Sequence, residues 1–212
     1  MVKTGIWPAL ILLSTTVLAG EPAADPGRDR LQGYLENLTT LTADFTQEVV
    51  NRDQELVESA SGRVALRKPG RFRWDYLTPF ERVIVADGER VWLYEADLEQ
   101  VTIRRLDAGL GETPAALLTG NAEILERFEF LGSAPDGDLL WVNLGPRSAE
   151  ADFDSIRLGF RGDELVRLEL SDRLGQTTQL SFAGQVKGVP LADEFFRFDP
   201  PEGVDVISET EF

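Results

Sequence analysis

An enzyme built from this chain would have to work with carboxylates, lysine, tyrosine or serine. Its 212 residues include no histidine and no cysteine. Those absences remove the commonest general base, the commonest metal ligand and all thiol chemistry. Acidic groups are plentiful, with 37 Asp and Glu against 21 Lys and Arg and a formal net charge of −16. Glu95 with Asp97, Asp152 with Asp154, and Asp193 with Glu194 are local carboxylate pairs that could act as acid and base in a hydrolase. Adjacency in sequence does not set the separation across a scissile bond, and on so acidic a chain such pairs arise by chance. No nucleophile elbow, phosphate loop or metal motif accompanies them, and Gly109-Leu110-Gly111 reads as a flexible loop. The expectation is a protein without catalysis, metal or cofactor. Its negative surface disfavours nucleic acid and anionic lipid head groups, and its acidity is read as solubility.

The first residues read as an address. Lys3 opens it, Ile6 to Ala19 form an apolar stretch interrupted by Pro8, and Val17-Leu18-Ala19 offers small residues before a cut. The run is too short to span a bilayer comfortably, so residues 1–19 are expected to be a signal peptide. A chain without cysteine has no acceptor for the N-terminal lipid of a bacterial lipoprotein. The expected product is exported but not lipid-anchored, with residues 20–212 forming one domain.

Residues 20–28 read as a loose leader. From about Arg30, Leu31, Tyr34, Leu35, Leu38 and Leu41 recur at helical spacing. The period then changes to two. Alternating segments fall near 43–50, 59–67, 71–77, 81–86, 90–95 and 98–105, and again near 127–132, 138–145, 154–161, 164–171, 176–186 and 195–198. Asp87-Gly88, Asp136-Gly137 and Arg161-Gly162-Asp163 mark hairpins between them. Strands so regularly spaced predict an antiparallel sheet that curls into a barrel or half-barrel. Thr113 to Gly120 interrupts them with a cap residue, Pro114 at the first helical position and a closing glycine.

Within this frame residues 62–76 are the most informative. Strand alternation puts Phe72, Trp74 and Tyr76 on one face and Arg71, Arg73 and Asp75 on the other. Before the Pro69-Gly70 turn, Val64 and Leu66 oppose Arg63, Ala65 and Arg67. Trp92 and Tyr94 follow two strands later. From pattern alone these aromatics fill a barrel core or line a hollow, and the choice stays open. The basic residues Arg63, Arg67, Lys68, Arg71 and Arg73 form the one dense positive stretch, a candidate contact for an acidic partner.

Arg71-Phe72-Arg73-Trp74 after Lys68-Pro69-Gly70, Val85-Ala86-Asp87-Gly88, Val91-Trp92-Leu93-Tyr94, Leu98 to Thr102 and Thr113-Pro114-Ala115-Ala116-Leu117-Leu118 come in an order and spacing that resemble the LolA family. Phe45-Thr46-Gln47, the Gly62 strand and Phe196 to Val204 fit the same resemblance. It implies a mainly β fold with a few helices: an open, unclosed antiparallel barrel of about eleven strands, with a helical lid over an apolar cavity. It implies a monomeric periplasmic carrier that takes lipoproteins from an inner-membrane ABC transporter and passes them to an outer-membrane acceptor lipoprotein. By this resemblance the cavity is assigned to Val64, Leu66, Phe72, Trp74, Tyr76 and Trp92, and the lid and its contacts to Lys68, Pro114, Ala115, Leu117 and Leu118. Lys68 stands where the family commonly has an arginine that holds the lid, and lysine lacks that planar fork. A carrier of free lipid or glycolipid on the same scaffold is the alternative, since an apolar hollow alone does not name its ligand.

Overall fold

The computed structural model describes residues 25–106, 118, 123–149, 151 and 153–208. Helix α1 spans Pro26–Asn37. Twelve strands follow: β1 Thr40–Val50, β2 Leu56–Arg67, β3 Arg71–Thr78, β4 Arg82–Asp87, β5 Arg90–Glu95, β6 Gln100–Arg105, β7 Phe128–Asp136, β8 Leu139–Pro146, β9 Phe153–Arg161, β10 Glu164–Asp172, β11 Thr177–Lys187 and β12 Asp205–Ser208. They form one sheet in the order β12-β6-β5-β4-β3-β2-β1-β11-β10-β9-β8-β7. β7 and β12 are its two edges, and the barrel is not closed.

The expected antiparallel sheet is corrected at one edge: β12 pairs with β6 in parallel, Val206 facing Val101, which makes the sheet mixed. The strand expected near 195–198 is instead a short 3-10 helix, Asp193–Phe196, which packs on β3 and β4. Between this helix and β12, Phe198 packs 5.5 Å from Tyr94 of β5, on the convex side.

Local chemistry explains the joints. In the β4–β5 turn, Asp87 Oδ1 accepts from the backbone N–H groups of Glu89 and Arg90, each at 2.8 Å. Gly88 takes the φ of +106° that the turn needs. Helix α1 begins earlier than its apolar stripe. Asp25 caps it by accepting from Gly27 N at 2.9 Å, and Pro26 follows as the first helical residue. Its C-terminal boundary is sharp, since Leu41 belongs to β1.

Cross-strand register decides what the concave face contains, because directly paired residues share a face. Phe45 lies opposite Gly62 on one side and Phe182 on the other, while Gln47 lies opposite Ala60 and Leu180. Leu180 pairs with Leu168, Leu168 with Leu158, and Leu158 with Val142. Leading the other way, Leu66 pairs with Phe72 and Val64 with Trp74. Phe72 and Trp74 pair in turn with Ala86 and Ile84, and those with Val91 and Leu93. One apolar surface therefore runs without a break from β5 to β8.

Candidate functional site

The centre of that surface is aromatic. Phe45 packs against Trp74 at a ring-centroid distance of 4.9 Å and edge-on to Tyr76 at 5.0 Å, and Trp74 meets Phe182 edge-on at 6.2 Å. Gly62 makes room for this cluster. A Cβ there would come within 1.9 Å of the Asp75 carbonyl oxygen and 2.9 Å of the Phe45 ring. One polar pair lies among the rings: the Tyr76 hydroxyl donates to Gln47 Oε1 at 2.9 Å, and both residues are buried. Burial pushes the Tyr76 phenol up to about 12.

Val64, Leu66, Phe72, Trp74 and Tyr76, all assigned to the cavity, come together here and are buried. Trp92 does not join them. It pairs with Val85, which pairs with Arg73, so it occupies the opposite face from Trp74. Val91 and Leu93 hold the concave positions of that strand. An assignment displaced by one residue sends a side chain through the sheet. Phe45, Phe160, Phe182 and the leucines of β9 to β11 complete the concave floor; their strand alternation was visible, but no aromatic run singled them out.

A cover lies over this floor. Leu31, Tyr34, Leu35 and Leu38 of α1 belong to the same buried cluster, and Tyr34 meets Phe160 edge-on at 5.4 Å. Leu118, in the stretch joining β6 to β7, is 2% exposed and part of the cluster too. Pro114, Ala115 and Leu117 lie outside the described residues. Phe72 and Trp74, at 1% and 2% exposure, are closed to water.

The helix is held by polar contacts at both ends. At its start, Ser133 of β7 donates to Asp25 Oδ1 at 2.5 Å, which helps keep the Asp25 carboxyl below the usual carboxylate range. Gly27 sits so near that a Cβ would lie 2.2 Å from Ser133 Cβ. At the other end Lys68, just past β2, donates from Nζ to the Leu35 carbonyl at 2.5 Å. The last turn of α1 has no basic residue of its own, so Lys68 supplies the cation that unpaired helix carbonyls favour. Partial burial lowers its ammonium pKa. Between these ends Arg30 pairs with Asp163, and Lys187 Nζ lies 4.9 Å from the Tyr34 ring centre. A hollow of about 610 Å³ opens beside the helix, lined by Arg30, Tyr34, Asn37, Asp163 and Lys187 among others.

Part of the basic stretch is engaged by the chain's own acidic groups. Arg67 donates to the Leu191 carbonyl at 2.5 Å and pairs with Asp193, its guanidinium 5.2 Å from the Phe196 ring centre. Arg73 pairs with Asp75 at 2.9 Å and lies 5.8 Å from the centre of Phe195. The candidate carboxylate Asp193 is thus an ionised partner of Arg67, which holds it below the usual range. Asp154 lies 3.9 Å from Arg173, and Asp152 is outside the described residues.

The fold is thus an unclosed half-barrel whose apolar concave face is buried, with a helix pinned across it. The family profile of the outer membrane lipoprotein carrier protein LolA matches residues 36–199. An outer-membrane lipoprotein carrier protein of Nitrosospira multiformis is 44% identical over 184 residues, covering 86% of this chain and 89% of the relative. One of Chromobacterium violaceum is 37% identical over 203 residues, covering 96% and 98%. The chain belongs to the LolA family. In fold it is similar to the crystal structure of a LolA superfamily protein from Nitrosomonas europaea, with a TM-score of 0.52 at 11% identity over 81% of this chain and 97% of that one.

Proposed function

We propose that this protein is a periplasmic chaperone that binds the acyl chains of lipoproteins released from the inner membrane and delivers them to an outer-membrane acceptor. Residues 1–19 would be its signal peptide and 20–212 a single carrier domain. One observation carries the reading: a continuous apolar concave face is covered by a helix whose ends are held by hydrogen bonds and ions. Water exposure of one acyl chain costs on the order of 10 kcal/mol, at roughly 0.8 kcal/mol per methylene, so the cargo cannot cross an aqueous space bare. A floor built on Val64, Leu66, Phe72, Trp74 and Tyr76 can take up that cost. The cover must leave it first, which assigns α1, Leu118 and the Pro114, Ala115 and Leu117 stretch to a lid and Lys68 to its retention. An ABC transporter as donor, a lipoprotein acceptor and a monomeric carrier complete the proposal.

Apolar burial carries no chemical step, and the charged residues described around the site form ion pairs or hold the helix. The test is intact mass spectrometry on protein purified without detergent from its native periplasm. A bound diacylglyceryl-cysteine protein is expected. Free phospholipid or glycolipid alone would replace the lipoprotein reading with the free-lipid one, and an empty protein unable to take up acylated peptide would end both.

A further inference from the structure

Trp74 sits in the middle of the concave floor at 2% exposure, and its indole Nε1 has no hydrogen-bond partner among the described residues. Phe45 and Phe182 pack against it, and Val64 and Ile84 pair with it across the neighbouring strands. The nearby polar pair does not relieve it: the Tyr76 hydroxyl donates to Gln47 Oε1, and neither oxygen is bonded to the indole. Buried indole N–H groups ordinarily find an acceptor, and an orphaned one is disfavoured against a carbon ring of similar size. Phenylalanine would fill much of this space without that penalty. A tryptophan here makes physical sense if its acceptor arrives with the ligand.

Resting on the carrier reading, we propose that the Trp74 indole N–H donates a hydrogen bond to a glycerol-ester carbonyl of the bound diacylglyceryl cysteine. Methylenes offer no acceptor. The ester at the head of each chain is the first that such a lipid presents to an apolar floor. Trp74 then sets how far the chains enter and distinguishes ester-linked from ether-linked tails. A binding site lined with carbon alone would disfavour the ester form, because its carbonyls lose hydration and gain no donor. A donor without another partner separates them by about three- to tenfold, the worth of one buried hydrogen bond.

The test compares a synthetic S-diacylglyceryl-cysteinyl peptide with its dialkyl-ether analogue, by displacement of an environment-sensitive dye from the full mature chain. The wild-type protein is expected to bind the ester form about three- to tenfold more tightly. Trp74→Phe should bring that ratio to one or below; the ratio alone is read, because the substitution also reshapes the floor and changes the affinity for both forms. Short-chain diacyl and dialkyl phosphatidylcholines, used as monomers, locate the source. Collapse of the ratio on both pairs means that any glycerol ester is read, and collapse on the peptide pair alone means that the lipoprotein ester is. Equal wild-type affinities for the two peptides, or a ratio that survives Trp74→Phe, would overturn the inference and leave the carrier function standing. Failure of both peptides to bind would remove the carrier function and the inference with it. The wild-type comparison needs no substitution, so the inference stays open to refutation whatever the variant's stability.

Discussion

Tyr76 places a phenol in an otherwise greasy surface, where its hydroxyl donates a hydrogen bond to Gln47. Its folded pKa of about 12 stands above the ordinary value of 10.0, because burial disfavours the phenolate. The folded state therefore keeps this proton when the unfolded chain has begun to lose it. The stabilisation is complete below pH 10 and disappears as pH rises toward 12, an effect of at most ~3 kcal/mol. Tyr34 is raised for the same reason and acts in the same direction. Denaturant unfolding measured from pH 9 to 12 should show this fall, and Tyr76→Phe should flatten it. An unchanged slope in the variant would assign the alkaline sensitivity elsewhere.

Lys68 makes a different contribution. Its charged hydrogen bond to Leu35 ties the strand turn to the helix, a contact worth ~1–2 kcal/mol. Lys68→Met keeps the aliphatic stem and loses the donor. It should lower unfolding free energy by about that amount and accelerate dye uptake in stopped flow, whereas Lys68→Arg should retain most of the wild-type rate. Slower uptake in the methionine variant would contradict a retaining role. At this scale the sequence was readable where alternation and aromatic character coincide, as at Phe72, Trp74 and Tyr76. Trp92 misled for lack of register. Its own strand reads equally well with either face inward, and only its pairing with Val85 decides.

Helix α1 shows how an element can be recognised by one face and missed at its ends. The stripe of Leu31, Tyr34, Leu35 and Leu38 was plain, but its start was not, since Asp25-Pro26-Gly27 reads equally as a leader turn. What makes Asp25 a cap is partly Ser133, more than a hundred residues away. Gly27 is chosen by the same contact and not by any helical preference. Gly27→Ala should push the first turn off β7, cost about 1–3 kcal/mol and loosen the cover. Thermal unfolding together with dye uptake checks it, and a variant as stable as wild type would mean that β7 yields. The 3-10 helix and β12 left weaker traces. Phe195 and Phe196 mimic a strand, but their environment is the far side of β3 and β4, fixed by Arg67 and Arg73.

At the level of the molecule, the alternating segments and hairpin glycines made a large curved sheet legible, while its parallel edge and its covered state depend on contacts distant in sequence. The sheet has many mutually supporting strands, and the helix touches mainly β7 and β8. Binding should therefore divide the molecule. With an acylated peptide bound, amide hydrogen exchange should quicken in residues 26–37 while β1 to β3 and β9 to β11 remain protected. Added protection in the helix on loading would argue that chains enter without moving it.

β12 bears on how this protein meets other copies of itself. By hydrogen-bonding along β6, it occupies a row of amides and carbonyls that would otherwise invite a strand from a neighbouring molecule. That side of the sheet therefore ends in a strand of only four residues, a shorter template for a neighbouring molecule than β6, which disfavours stacking into ribbons.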